Sequence, residues 1–139
     1  MNKNIKITVF PVKANPYKGT SFKEVWKQAQ QDYKQTKQQT KRRPYIRSKY
    51  FNKKKIFFDM FWIHLSQKGY KQRTKRLKYF RCAIELIEKS IFKPTSKNQS
   101  SNIVLHRFTG ITRNNNKFYV QIKEEKKSNK LYLMSVFTK

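Results

Sequence analysis

An imbalance of charge constrains this chain more than any other feature of its sequence. Its 139 residues include 34 Lys and Arg but only 7 Asp and Glu, which gives a formal net charge of +27. A compact globule with so few carboxylates repels itself strongly unless an anionic partner neutralises it. We therefore expect a polyanion as the partner, and nucleic acid is the first candidate.

The rest of the composition shows that the chain is more than a disordered basic tail. Hydrophobic residues make up 37% and aromatic residues 15%, which is enough for a small core, and the length suits one domain. Residues with A/T-rich codons dominate (Lys, Asn, Ile, Phe and Tyr), whereas Gly, Pro and Ala are scarce. We infer an A/T-rich genome, such as that of an organelle or a low-GC microbe. This bias explains the excess of Lys over Arg but not the shortage of acids.

The sequence lacks the residues that several classes of protein require. The single cysteine, Cys82, excludes an internal disulfide, and no spacing of Cys and His suggests a zinc site, so we predict neither metal nor cofactor. No apolar run approaches the roughly 18 residues of a membrane span, so we expect no membrane partner. The first six residues resemble neither a secretory signal nor a transit peptide. If the protein works in an organelle, we expect it to be made there.

The first part of the chain predicts a strand, a helix and a basic arm. Residues 5–9 alternate between apolar and polar, as in a short strand. Ser21 and Glu24 have the spacing of a capping box, which predicts a helix that fades toward Thr40. Residues 45–55 predict an extended basic arm.

The following segment predicts two helices. Residues 56–67 are apolar nearly all round, as in a helix that is buried on most sides. Gly69 separates it from a second amphipathic helix over about 71–90, and the two are expected to form an αα-hairpin.

The C-terminal part predicts a β-hairpin. A polar linker over 92–102 precedes two strand patterns, 103–108 and 118–123, which are separated by a long tip. The final apolar segment, Leu131 to Phe137, is ambiguous between a strand and one or two helical turns.

Together these elements predict a mainly α protein with a β-hairpin (α+β). It would have a small helical body, a protruding two-stranded hairpin over 103–123 and an extended basic N-terminal region. We divide the chain into an N-terminal extension with one helix, residues 1–40, and an RNA-binding helical domain, residues 41–139.

The sequence offers few groups for catalysis. It contains no Gly-rich phosphate loop, no cluster of metal ligands and no nucleophile-elbow pattern. His64, inside an apolar segment, is best interpreted as a structural histidine, and Cys82 as a core thiol. We therefore predict no enzymatic activity and no small-molecule substrate.

One pair leaves an enzymatic alternative open. A small basic ribonuclease or toxin could use His106 as a base and Arg107 to hold phosphate, with Glu124 or Glu125 as the partner of the base. The simpler interpretation is that His106 and Arg107 contact phosphate or base without cleavage. A DNA-compacting or membrane-surface protein is a third possibility.

A stronger signal is a single stretch in which aromatic residues alternate with cations. Such cations contact the nucleic-acid backbone while rings stack on unpaired bases. The alternative is a flexible arm whose aromatic residues enter a core, and such arms order on RNA. The stretch comprises Arg42, Arg43, Tyr45, Arg47, Lys49, Tyr50, Phe51, Lys53, Lys54 and Lys55.

The order of features from Arg42 to Phe137 resembles one protein family. Six features follow one another in this part of the chain. They are a basic segment with a proline, an apolar helix, a glycine with basic neighbours, a second helix, a basic hairpin and an apolar segment that begins with Leu. They occupy residues 43–48, 56–65, 68–71, 79–89, 106–122 and 131–137. This order resembles small-subunit ribosomal protein seven, although the double glycine of the hairpin is reduced to Gly110. The N-terminal extension has no counterpart, and the C-terminal helices of the family are expected to be missing.

The resemblance implies a structural rRNA-binding protein in the head of the small ribosomal subunit. Its partners would be ribosomal RNA and neighbouring small-subunit ribosomal proteins. A diverged mitochondrial version, encoded in the organelle, would fit the composition. The residues that we predict to bind RNA, from the resemblance and from the basic segments, are Arg42, Arg43, Arg47, Lys53, Lys54, Lys71, Arg73, Lys75, Arg107, Arg113 and Lys117.

Overall fold

The computed structural model describes residues 9–139, in which four helices pack on a curled, mixed sheet of seven strands, a half-barrel. The prediction of a mainly α protein with a protruding two-stranded hairpin is therefore wrong, because the fold is α/β. The strands are β1 (Val9–Pro11), β2 (Tyr45–Ser48), β3 (Lys54–Phe57), β4 (Thr95–Asn98), β5 (Ile103–Ile111), β6 (Lys117–Glu125) and β7 (Lys130–Phe137). The helices are α1 (Phe22–Gln39), α2 (Asp59–Ser66), α3 (Tyr70–Leu77) and α4 (Phe80–Lys89).

The sheet is built around three long antiparallel strands. The spatial order is β1-β5-β6-β7-β3-β2, and β4 also pairs with β5. The β5–β6, β6–β7, β2–β3 and β4–β5 pairs are antiparallel, whereas β1–β5 and β3–β7 are parallel. The predicted hairpin over 103–123 exists as β5 and β6. It lies in the middle of the sheet and does not protrude, because other strands pair with both of its outer edges.

The start of α1 confirms the predicted capping box. The Ser21 hydroxyl accepts from the Glu24 backbone N–H at 3.3 Å, and the Glu24 carboxylate accepts from the Ser21 N–H at 3.2 Å. These bonds satisfy two donors that the first turn of a helix leaves free. One face of α1 is buried against the rest of the fold. Its buried residues are Val25, Ala29, Tyr33 and Thr36.

Neither of the two predicted long helices is one continuous helix over its predicted range. The apolar segment 56–67 begins inside β3, and α2 starts only at Asp59. The carboxylate of Asp59 stabilises this helix start because it lies at the positive end of the helix dipole. The second helix is interrupted at Lys78 and Tyr79, so α3 and α4 are separate.

Three other segments adopt strands. The basic arm 45–55 forms the β2–β3 hairpin, the polar linker 92–102 contains β4, and the ambiguous segment 131–137 is part of β7. The predicted first strand falls mostly outside the described residues, which include its last position, Val9, in β1.

The core lies between the helices and one face of the sheet. Alternate residues of β5 and β6 are buried, and the residues between them are partly exposed. Burial of each large apolar side chain stabilises the fold by about 1.5–3 kcal/mol. The largest fully buried side chains include Phe58, Phe61, Phe80, Phe118, Ile56, Leu77, Leu86, Ile122, Leu131 and Leu133. Within residues 9–139, no helix has the length and apolar character that crossing a membrane requires.

Candidate nucleic-acid interface

The second face of the sheet, which we call the open face, carries rows of rings and cations. Paired positions of neighbouring strands lie side by side on the same face. The register therefore aligns Tyr45, Phe57, Tyr132 and Lys123 across β2, β3, β7 and β6. Chain segments far apart in sequence thus meet in one row of three rings and a lysine, in which Tyr132 is buried and Tyr45, Phe57 and Lys123 are partly exposed.

At one end of this row lies a group of residues that we call the edge cluster. The Arg43 guanidinium lies 4.3 Å from the centroid of the Phe57 ring and 5.2 Å from that of Tyr132. Lys55 and Arg47 lie 4.6 and 5.4 Å from the Tyr45 ring centroid. These distances are typical of cation–π contacts. The edge cluster comprises Arg43, Tyr45, Arg47, Lys55, Phe57 and Tyr132.

The cations of the edge cluster differ in how far their charge is compensated. Arg43 forms an ion pair with Asp59 at 2.6 Å, and this hydrogen bond raises the pKa of the guanidinium. Among the described residues, no carboxylate lies within 4.0 Å of Arg47 or Lys55. Arg47 donates only to the Lys53 carbonyl oxygen, at 2.9 Å. The charges of Arg47 and Lys55 therefore remain available to an anion.

Two clefts border the edge cluster and share Lys55 and Phe57. One has a volume of about 440 Å³ and extends to the basic residues 41–43 after α1. The other, of about 350 Å³, extends to residues 128–130 before β7. The two clefts provide basic grooves on either side of the exposed β2–β3 hairpin.

A second group, the central cluster, lies farther along the open face. The rings of Tyr119 and Phe137 stack with centroids 5.4 Å apart and planes inclined by 27°. Arg107 lies 5.3 Å from the Phe137 centroid, and Lys139 lies 5.0 Å from that of Tyr119. The next cross-strand row adds hydrogen-bonding side chains beside Arg107. The central cluster comprises Arg107, Tyr119, Gln121, Ser135, Phe137 and Lys139.

The few carboxylates are largely engaged in the fold. Asp32 accepts from Tyr17 and from Arg81, and the Glu85 carboxylate accepts from the backbone N–H groups of Lys13 and Ala14 at 2.8 Å. Burial, and then the bond to Asp32, raise the pKa of Tyr17. These acids hold the N-terminal segment on α1 and α4.

Consequently, internal ion pairs compensate little of the positive charge. Among the lysines and arginines of residues 9–139, Arg43, Arg81 and Lys123 alone have a carboxylate within 4.0 Å. Arg73 donates to backbone carbonyls and Arg76 is partly buried, but most of the remaining cations are exposed and can bind an external anion.

The structure distributes the predicted RNA-binding residues over several surfaces. Arg107 lies in the central cluster, Arg113 and Lys117 lie at the exposed β5–β6 turn, and Lys71 and Lys75 lie on α3. The others, apart from Arg73, are in or near the edge cluster: Arg42, Arg43, Arg47, Lys53 and Lys54.

Arg73 is committed to the fold. Its guanidinium donates to the carbonyl oxygens of Lys68 and Ser66, both at 2.7 Å. These carbonyls belong to the end of α2, where a helix leaves acceptors unsatisfied. Two aromatic residues of the predicted stretch are also structural, because Tyr50 and Phe51 pack edge-on against Phe108.

The structure does not bring His106 and Arg107 together. Successive side chains of a strand point to opposite faces, so His106 is on the core side, 8% exposed, and Arg107 is on the open face. The His106 ring also has two partners, Glu124 Oε1 at 2.8 Å from Nε2 and Ser96 Oγ at 2.6 Å from Nδ1. The two side chains cannot converge on one phosphate in this arrangement.

The other two candidates for chemistry differ in burial, because Cys82 is buried in the core whereas His64 on α2 is partly exposed. Burial, and then the charges of Lys68 and Arg76, lower the pKa of His64. Burial raises the pKa of the Cys82 thiol to about 12, and the thiol donates to the Ala14 carbonyl. The Cys82 thiol therefore lacks the exposure that a reactive cysteine needs. Within residues 9–139, no three His, Cys, Asp or Glu side chains are grouped so as to hold a metal ion.

Sequence reasoning missed the rings of the open face outside the basic stretch. Phe57, Tyr119, Tyr132 and Phe137 were assigned to strands or helices without regard to which face they occupy. The alternation in β6 could have indicated one of them, since Tyr119 falls between the apolar core positions Phe118 and Val120.

Comparison with known protein families, curated proteins and solved structures finds no match for the chain.

Proposed function

We propose that the protein is a structural RNA-binding protein that binds RNA through the open face of its sheet. The observation that carries the proposal is the row of three rings and Lys123 across β2, β3, β7 and β6, flanked by Arg43, Arg47 and Lys55. Uncompensated lysines and arginines attract phosphate, and rings beside them offer stacking surfaces for bases.

Unpaired RNA fits this surface better than duplex DNA or a lipid surface. Bases can stack on rings only where they are splayed out, as in RNA loops, bulges and single strands. In a duplex the base faces are already occupied. A lipid surface would favour an exposed apolar stripe, whereas the rings of the edge cluster are interleaved with cations.

We further propose ribosomal RNA as the target, in the small subunit of a mitochondrial ribosome with its neighbouring proteins as partners. The net charge and the A/T-rich composition support this assignment. The mainly α fold implied by the resemblance to small-subunit ribosomal protein seven is not the fold of this chain. A position in the head of the subunit therefore has no support from the architecture.

RNA binding can be tested by fluorescence anisotropy with labelled single-stranded RNA and duplex DNA over a range of salt concentrations. The double variant Arg47→Ala, Lys55→Ala removes two uncompensated cations of the edge cluster. We expect it to weaken RNA binding and to reduce the log–log salt slope on single-stranded RNA by about 1.4, roughly 0.7 for each lost phosphate contact. The control, Lys89→Ala, Lys93→Ala, removes the same charge from exposed positions elsewhere. Equal losses in the two variants would reject the open face as the binding surface.

Two further measurements test whether the protein belongs to a ribosome and whether it cleaves RNA. Co-sedimentation with the small ribosomal subunit in a sucrose gradient of native lysate, persisting in moderate salt, would support the ribosomal assignment. Absence from ribosomal fractions would reject that assignment and leave RNA binding as a separate question. Cleavage of RNA by the wild type, abolished by His106→Ala, would reject the structural role in favour of a ribonuclease.

A further inference from the structure

A second site of different construction lies between the start of α1 and α3. It is a cleft of about 620 Å³, within the range of small-molecule pockets. It shares no residue with the edge cluster or the central cluster. The lining residues are Thr20, Phe22, Tyr70, Lys71, Gln72, Thr74, Lys75 and Lys78.

One wall of the cleft is aromatic and unusually exposed. Tyr70 is 69% exposed, and its ring meets that of Phe22 edge-on at 5.7 Å between centroids. Trp26, which is 39% exposed, lies 5.5 Å behind Phe22. The guanidinium of Arg73, fixed by two carbonyls, lies 5.0 Å from the Tyr70 centroid and helps to hold the ring. Clustered exposed rings of this kind mark a surface that meets a partner.

The other wall is basic. Lys71, Lys75 and Lys78 follow one another at helical spacing and lie on the same side of α3 and its C-terminal end. Among the described residues, no carboxylate lies within 4.0 Å of any of them. Glu24, which lies near Lys78, is engaged by Ser21, whose hydrogen bonds lower the pKa of that carboxyl. The cleft therefore combines an apolar stacking surface with uncompensated positive charge.

We propose that this cleft binds an unpaired nucleotide of single-stranded RNA. The base would stack on Tyr70, and the adjoining phosphates would contact Lys71 and Lys75. Gln72 supplies a polar group for the edge of the base, and the Thr74 hydroxyl, which donates to the Tyr70 carbonyl at 2.8 Å, can still accept a hydrogen bond. The inference rests on the proposed RNA-binding function and adds a nucleotide site outside the open face.

The test uses the full chain and two labelled probes, a single-stranded oligouridylate of about ten nucleotides and an RNA duplex of the same length. We expect Tyr70→Ala to weaken oligouridylate binding by about five- to 150-fold, the usual effect of removing one stacking ring. Duplex binding should stay unchanged, and Tyr70→Phe should bind like the wild type. Ile91→Ala is the matched control, because Ile91 is 64% exposed and lies outside the cleft.

The outcomes separate this proposal from the proposed function. Failure of the wild type to bind either RNA would reject both. If Arg47→Ala, Lys55→Ala weakens binding while Tyr70→Ala matches Ile91→Ala, only the nucleotide site is rejected. An oligoglutamate that binds with the same dependence on Tyr70 would assign the cleft to an acidic peptide and overturn the inference.

Discussion

Gly110 shows how closely single residues fit in the core. A methyl group at this position would clash with the ring of Phe118 and lie 2.9 Å from Leu86 Cδ1. Since overpacking costs about 1–3 kcal/mol, Gly110→Ala should lower the free energy of unfolding by that amount in urea titrations. Gly69→Ala is the control without a clash, because its methyl group would meet nothing within 4 Å, and we expect only the smaller loss, below about 1 kcal/mol, of replacing the α3 N-cap glycine. Equal losses in the two variants would contradict this description of the packing.

The buried thiol of Cys82 predicts a dependence of stability on pH. Burial raises its pKa from 9.0 to about 12, so the folded protein keeps the thiol protonated where the unfolded chain ionises it. This contribution to stability is complete below pH 9 and is lost as the pH rises toward 12. The free energy of unfolding should therefore fall more steeply above pH 9 in the wild type than in Cys82→Ala. Identical slopes, measured by urea unfolding, would show that the thiol does not contribute.

At the scale of elements, local signals were predictive and long-range pairing was not. The capping box at Ser21 and the alternation in β5 and β6 depend on residues close in sequence, and both predictions are confirmed. In contrast, β4 is polar and exposed throughout, so no periodicity marks it, and it is ordered by pairing with β5. The sheet was missed because the parallel pairs that complete it, β1–β5 and β3–β7, join segments that are far apart in the chain.

The turn between β2 and β3 contains strained backbone conformations. Asn52 and Lys53 both have positive φ, 57° and 65°, a region that disfavours side chains with a Cβ. Lys53→Gly should raise the free energy of unfolding by about 0.5–1 kcal/mol, after allowing for the greater entropy of the unfolded chain. Lys55→Gly, inside β3, removes the same charge and should lower the free energy of unfolding by a similar amount. Urea titrations of both variants measure the effect, and destabilisation by Lys53→Gly would contradict it.

At the scale of the whole molecule, composition predicted the kind of surface but not its arrangement. The excess of cations follows from the sequence, whereas the role of each cation depends on the fold. Lys71 lines a cleft while Arg73, two residues away, caps α2. Tyr45, Phe57 and Tyr132 become neighbours only through the register of three strands. Sequence patterns contain no signal for that register, so the open face could not be derived from them.

The net charge of +27 predicts that salt affects folding and RNA binding in opposite directions. Screening weakens the mutual repulsion of the cations, so the urea midpoint of the free protein should rise between 50 and 500 mM KCl. RNA affinity should fall over the same range, with a log–log slope near −7 if about ten phosphates of a single strand are neutralised. Urea is the suitable denaturant because it adds no ions of its own. A urea midpoint that falls with salt would show that internal ion pairs outweigh the repulsion. Since only three Lys and Arg side chains of residues 9–139 have a carboxylate within 4.0 Å, we expect the repulsion to dominate.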